Sequence, residues 1–117
     1  MASCRPGGYS RRMDEREYLQ AAEACLDRAG RWLGDLEDLD VLTGDGLVAI
    51  EFDDGTRFVL NRQAAAQQVW LAAGARAWHY RWDAGRQAWL DDRDGHELFA
   101  NLRDVVAAKL DAPVPSA

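Results

Sequence analysis

Apolar positions between residues 14 and 34 recur at intervals of three and four, which is typical of the buried face of an α-helix. Asp14 precedes this stretch and Glu17 follows three residues later, a spacing that predicts a capping box at the helix start. Gly34 ends the pattern, and the acidic Glu23 and Asp27 fall on the outer face. The predicted buried face consists of Tyr18, Ala22, Cys25, Ala29 and Leu33, widened by Trp32.

Six short strand-like runs follow this helix, at 36–42, 47–52, 56–61, 68–72, 77–82 and 87–90. Asp-Gly pairs at 45–46 and 54–55 separate the first three runs, and this dipeptide between apolar segments is a strong hairpin signal. Because hairpin-length connections join neighbouring strands, the pattern predicts an antiparallel sheet.

A second amphipathic helix ends the pattern. Asp94 is its predicted N-cap, and Glu97 lies three residues on, which again fits a capping box. Pro113 and Pro115 prevent the helix from continuing. Its apolar face is predicted to hold Leu98, Phe99, Leu102, Val105, Val106 and Leu110.

These elements predict an α+β fold, a two-layer sandwich in which both terminal helices cover one face of an antiparallel sheet of about six strands. The other face of such a sheet faces solvent. Residues 14–111 form the expected single domain, with a flexible tail at 1–13 and a short tail at 112–117. Met13 is an alternative start position.

Charge is distributed unevenly along the 117 residues. The net charge is −6, but residues 13–56 hold thirteen acidic and three basic side chains, a local charge of −10. This half would repel a phosphate backbone and attract cations or a basic protein surface, so we expect no nucleic-acid partner. No run approaches the roughly 20 apolar residues of a membrane span, and the first twelve residues lack the apolar core of a secretory signal. We therefore expect a cytoplasmic protein without a membrane partner.

Candidate chemistry is confined to two surfaces, because no nucleophile and base are paired in the sequence. Glu37, Asp38 and Asp40 crowd one predicted strand near the end of the helix that bears Glu23 and Asp27. Carboxylate oxygens suit hard or borderline cations. The alternative is that these charges only keep an edge strand from pairing with other chains.

Trp70 marks the second surface. Strand alternation places it opposite Val69 and Leu71, on the face that the helices leave open. An outward Trp beside Asn61 suits a binding hot spot, and it equally suits a ring that covers the open face. His79, inside a strand, and His96, at a helix start, fit structural roles.

The letters NRQ at 61–63 and QVWLA at 68–72 closely resemble the frataxin signature N-[RK]-Q-x-P-x-x-Q-[IV]-W-L-[AS]. The resemblance extends to the first helix, to the acidic run EDLDV at 37–41 and to later aromatic positions, and the compact form is similar to the bacterial, CyaY-like members of the family. The chain departs from the pattern at Ala65, where proline is usual, and at Arg31, where a carboxylate is expected.

The resemblance implies the frataxin fold and an accessory role in iron–sulfur cluster assembly. It implies weak binding of iron (Fe²⁺/Fe³⁺) at surface carboxylates, and binding to a cysteine desulfurase and an iron–sulfur scaffold protein by a monomer. The iron candidates by position are Glu15, Glu23, Asp27, Glu37, Asp38 and Asp40. The partner-binding candidates are Asn61, Gln63, Gln68 and Trp70.

Two other functions stay open. The chain could regulate the desulfurase by protein contact alone, without useful iron binding. It could also be a ferroxidase. Because the sequence lacks the inward-facing Glu and Glu-x-x-His residues of di-iron enzymes, this is the least favoured of the three functions.

Overall fold

A six-stranded antiparallel sheet, with its strands in chain order, forms one layer of the computed structural model, which describes residues 13–117. Residues 1–12 of the predicted tail at 1–13 lie outside the described residues. The strands are β1 (Leu39–Gly44), β2 (Leu47–Phe52), β3 (Arg57–Gln63), β4 (Gln68–Ala73), β5 (Arg76–Asp83) and β6 (Ala88–Asp91). The helices are α1 (Glu15–Gly34) and α2 (Leu98–Leu110), and a short 3₁₀ helix spans Ala64–Ala66.

Both helices pack against the same face of the sheet. Cross-strand pairs such as Val48 with Leu60 and Leu60 with Leu71 place these three side chains on one face, and all three are buried. Residues of α1 and α2 join them in one hydrophobic cluster. The predicted α+β sandwich, with helices on one side only, is therefore confirmed.

Helix α1 buries the predicted stripe. Tyr18, Ala22, Cys25, Ala29 and Leu33 are each at most 4% exposed, as the helical spacing requires. The Asp14 backbone N–H donates to Glu17 Oε1 at 3.3 Å, which is one half of the predicted capping box. The helix therefore begins where the sequence indicates.

The start of β1 differs from the prediction. The strand begins at Leu39, three residues later than expected, because Asp38 has a φ of 70° and interrupts the extended backbone. Glu37 and Asp38 therefore lie in the bend between α1 and β1. The interpretation that all three acids share a strand is wrong, since only Asp40 lies on β1.

The cap of α2 also differs. Glu97, rather than Asp94, is the N-cap, and its carboxylate accepts the N–H groups of Phe99 and Ala100 at 2.8 and 2.9 Å. The reason lies in β6: the His96 carbonyl accepts the Asp91 N–H, and Glu97 forms an isolated bridge with Leu90. These contacts hold residues 96 and 97 extended, so the helix starts later.

Residues at both ends of the described chain contact the domain. Met13 exchanges two hydrogen bonds of 2.9 Å with the Gln67 side chain. Near the other end, the Trp32 Nε1–H donates to the Pro115 carbonyl at 3.0 Å. Neither helix in the described part of the chain is long and apolar enough to cross a bilayer.

Candidate functional site

The acidic surface is the set of six predicted iron-binding carboxylates, and the structure distributes them over three elements. Glu15, Glu23 and Asp27 are exposed along α1, and Glu37 and Asp38 are exposed in the following bend. Asp40 pairs with Glu51 across β1 and β2 and therefore faces the open side of the sheet, away from α1. The six residues form a spread of negative charge rather than a single chelating pocket.

Two of these carboxylates are paired with cationic side chains of the same chain. Glu23 Oε2 lies 3.0 Å from Arg62 Nη1, and the same guanidinium reaches Asp45 Oδ1 at 3.4 Å through Nη2. Asp27 faces Arg31 one helical turn later, with 4.0 Å between Oδ2 and Nη1. By contrast, Glu15, Glu37, Asp38 and Asp40 form no ion pair within the described residues.

The open face of the sheet carries the second candidate surface. Asn61, Trp70 and His79 lie side by side on β3, β4 and β5, and Gln63 lies opposite Gln68 on the same face. Trp70 stacks on His79 with ring centroids 4.2 Å apart and planes 18° apart. Trp70 is half-buried, whereas its neighbours Val69 and Leu71 are fully buried beneath the helices.

Hydrogen bonds hold Trp70 in place. Its indole N–H donates to Gln68 Oε1 at 2.8 Å, and Gln68 Nε2 donates to Asp92 Oδ2 at 3.2 Å. From the opposite face, the buried Tyr18 hydroxyl donates to the Gln68 carbonyl at 2.7 Å. A ring held by one hydrogen bond and one stacking contact loses little side-chain entropy on binding, so it is suited to a contact surface.

His79 also belongs to this surface, although the sequence pattern predicts only a structural role for it, and a signal for its position exists in the sequence. Gly74 has a φ of 65° and occupies the turn between β4 and β5, in which Ala73 pairs with Arg76. Counting outward from that two-residue turn pairs Trp70 with His79 directly. Asp92, which supports Gln68 from outside the strands, leaves no such signal.

A third group of polar side chains lies after β6. Asp91, Asp94 and His96 are the only three potential metal ligands in the described part of the chain whose ligand atoms lie within 4.8 Å of one another. From the sequence, Asp94 is predicted only as the N-cap of α2, and His96 is given a structural role.

Hydrogen bonding within this group uses both nitrogens of His96. Nδ1 lies 2.6 Å from Asp94 Oδ1, and Nε2 lies 2.8 Å from the Tyr80 hydroxyl. Asn101 Nδ2 also donates to the Tyr80 hydroxyl, at 2.8 Å, so the group is linked to α2. Hydrogen bonds from His96 lower the pKa of Asp94. Both nitrogens of His96 are therefore engaged by groups of the protein itself, and the group holds the loop before α2 in place.

One protein family matches the whole domain. A family model described as a frataxin-like domain matches residues 11–112. The iron–sulfur cluster assembly protein CyaY of Thioalkalivibrio sulfidiphilus is 44% identical over 89 residues, which cover 76% of this chain and 82% of that protein. The protein of the same name from a Janthinobacterium species is 41% identical and covers 87% and 95% of the two chains.

Solved structures agree on the fold. The frataxin of Psychromonas ingrahamii superposes with a TM-score of 0.79 at 28% identity, covering 87% of this chain and 96% of that one. Yeast frataxin gives a TM-score of 0.69 at 20% identity, with 95% and 98% of the two chains covered. At that identity the likeness to the yeast protein concerns the fold alone.

Proposed function

The chain belongs to the frataxin-like family, and from that membership we propose that it is an accessory protein of iron–sulfur cluster assembly. In this role it docks on a cysteine desulfurase and its scaffold protein and carries Fe²⁺ weakly on its acidic surface. The iron is cargo rather than a resident cofactor. The relatives named as iron–sulfur cluster assembly proteins support the pathway.

The observation that carries this proposal is the Trp70–His79 stack on an otherwise solvent-facing sheet. On this face Gln68 holds the large indole ring of Trp70 in one orientation, and His79 stacks against it. Aromatic anchors held in a fixed orientation are typical of binding hot spots. Asn61 and His79 flank the ring on the neighbouring strands and complete the contact surface.

The acidic surface supports the second half of the proposal. Glu37, Asp38 and Asp40 are exposed and unpaired within the described residues, so their oxygens are open to a hard cation. Because, within the described residues, the oxygens of these three acids do not all lie within 4.8 Å of one another, water would complete the coordination shell and the affinity would be low. Weak binding suits an ion that must be passed on. The same charge would steer the chain toward a basic patch on the desulfurase.

Anaerobic titration with Fe²⁺, followed by amide NMR, tests the iron half. We expect signals of residues 37–40 and of the outer face of α1 to broaden before signals of residues 61–110. Broadening that starts at His96 would instead assign the ion to the Asp91–Asp94–His96 group and contradict the proposal.

A second candidate is regulation of the desulfurase by contact alone. Its support is that Arg62 and Arg31 already pair with two of the six carboxylates, which lowers the charge available to a metal. The same titration separates the two candidates, because a pure regulator would show no localised broadening and would still bind its partner.

A further inference from the structure

Arg62 follows a path that differs from that of its neighbours on β3. Asn61 and Gln63 face the open side of the sheet, so Arg62 faces the helices. Its side chain is only 22% exposed, yet its guanidinium reaches Glu23 on α1 and Asp45 in the β1–β2 turn. The two carboxylates are 55% and 92% exposed, so the cation is far less accessible than the anions around it.

The turn between β1 and β2 is shaped to admit this guanidinium. Gly46 has a φ of 72°, and a Cβ at that position would lie 2.8 Å from Arg62 Cζ. The Gly46 carbonyl also accepts the Arg62 N–H at 2.9 Å, which fixes the backbone beside the turn. Glycine therefore provides both the turn conformation and the space for the guanidinium.

We propose that Arg62 is a built-in counter-cation that fills the position between Glu23 and Asp45 and thereby excludes a metal ion from this end of the acidic surface. Two carboxylates from separate elements converge on one positive group. Without the guanidinium, a divalent cation could occupy the same position between them. Arg62 thus neutralises Glu23 and Asp45 together, and metal binding is directed to the unpaired acids near β1. The inference rests on the proposed cation binding and adds which residue limits it.

The test compares variants that remove the same charge from one strand. Arg62→Met keeps the apolar stem and removes the guanidinium. Arg57→Met is the matched control, because Arg57 also lies on β3 and pairs with a carboxylate, Glu51, but does so away from α1. Arg62→Lys keeps the positive charge and separates charge from packing. Each folded variant is titrated with Mn²⁺ and followed by broadening of its amide signals.

In Arg62→Met, we expect the amide signals of Glu23 and Asp45 to broaden at a Mn²⁺ concentration about three- to ten-fold lower than in the native chain. The reason is that one nearby positive charge is lost, and its effect is screened by the solvent. Arg57→Met and Arg62→Lys should stay within about two-fold of the native chain at these signals. Equal shifts for Arg62→Met and Arg57→Met would overturn the inference, because only net charge would then matter.

A second measurement does not depend on the folding of Arg62→Met. Asp45→Asn in the otherwise native chain should leave the midpoint of Mn²⁺ broadening at Glu23 unchanged, since the guanidinium already neutralises Asp45. A weaker response in Asp45→Asn would show that Asp45 binds the ion directly and would contradict the inference. The proposed function fails separately, if residues 37–40 of the native chain show no broadening at any Mn²⁺ or Fe²⁺ concentration.

Discussion

Trp70 on β4 stacks on His79 of the neighbouring strand β5, with ring centroids 4.2 Å apart. This pair lies on the face that neither helix covers, and its position distinguishes Trp70 from Trp89, which is 2% exposed beneath the helices. The two tryptophans are therefore a natural pair for separating binding from stability.

Trp70→Ala should be much less destabilising than Trp89→Ala. Truncation of the buried Trp89 leaves a cavity and should cost about 3–5 kcal/mol of unfolding free energy. Loss of the half-buried Trp70 removes one ring stack and one hydrogen bond, about 1–2 kcal/mol. Urea denaturation of both variants checks this order, and equal losses would mean that Trp70 is a core residue.

Charge on the acidic surface should control the rate of partner association. Reversing Glu37 and Asp38 to Lys should slow association with the desulfurase complex, most clearly at low salt, because rim charges steer encounter. The matched control reverses Asp83 and Asp104, two acids of β5 and α2 outside the acidic surface. Stopped-flow or surface-plasmon rates at several salt concentrations give the comparison, and equal slowing by both double variants would argue against a localised docking surface.

Arg31→Glu should tighten Fe²⁺ binding by about two- to five-fold, because it replaces a positive charge beside Asp27 with a carboxylate. Arg103→Glu on α2 is the control for net charge. Anaerobic titration of the two variants and the native chain measures the effect. Unchanged affinity in Arg31→Glu would show that residue 31 lies outside the cation site.

Cys25 should be inert toward alkylating reagents in the folded protein. Cys25 lies on the buried face of α1, and this burial raises the pKa of its thiol to about 12, so the reactive thiolate is almost absent at pH 8. In a Cys4→Ser background, iodoacetamide should modify Cys25 only after denaturation, as mass spectrometry would detect. Rapid modification of the native chain would mean that α1 detaches readily from the sheet.

The sequence predicts the elements that depend on local chemistry. The buried stripe of α1 follows from its spacing, and the outward position of Trp70 follows from strand alternation, and both are observed. The start of β1 was misplaced because alternation of apolar and acidic residues continues through Asp38, whose left-handed backbone breaks the strand. Nothing in a local pattern predicts that conformation.

The long-range contacts of the site could not be predicted in the same way. Glu23 and Arg62 are 39 residues apart, and they meet because α1 packs against β1, β2 and β3. The N-cap of α2 is likewise Glu97 rather than the predicted Asp94, because β6 forms backbone contacts with residues 96 and 97. In both cases packing between elements, rather than propensity within one element, decides which groups meet.

The most direct test of the central claim is an assay of iron–sulfur cluster assembly on the scaffold protein by the cysteine desulfurase. The assay measures how fast the absorbance of the cluster increases, at increasing concentrations of this chain. The account predicts a saturable change in rate with the native chain. It also predicts that Trp70→Ala, while still folded, needs about 30-fold more protein for the same effect, the equivalent of a hot spot of about 2 kcal/mol. A rate that no concentration of the native chain alters, or identical curves for native and Trp70→Ala proteins, would contradict it.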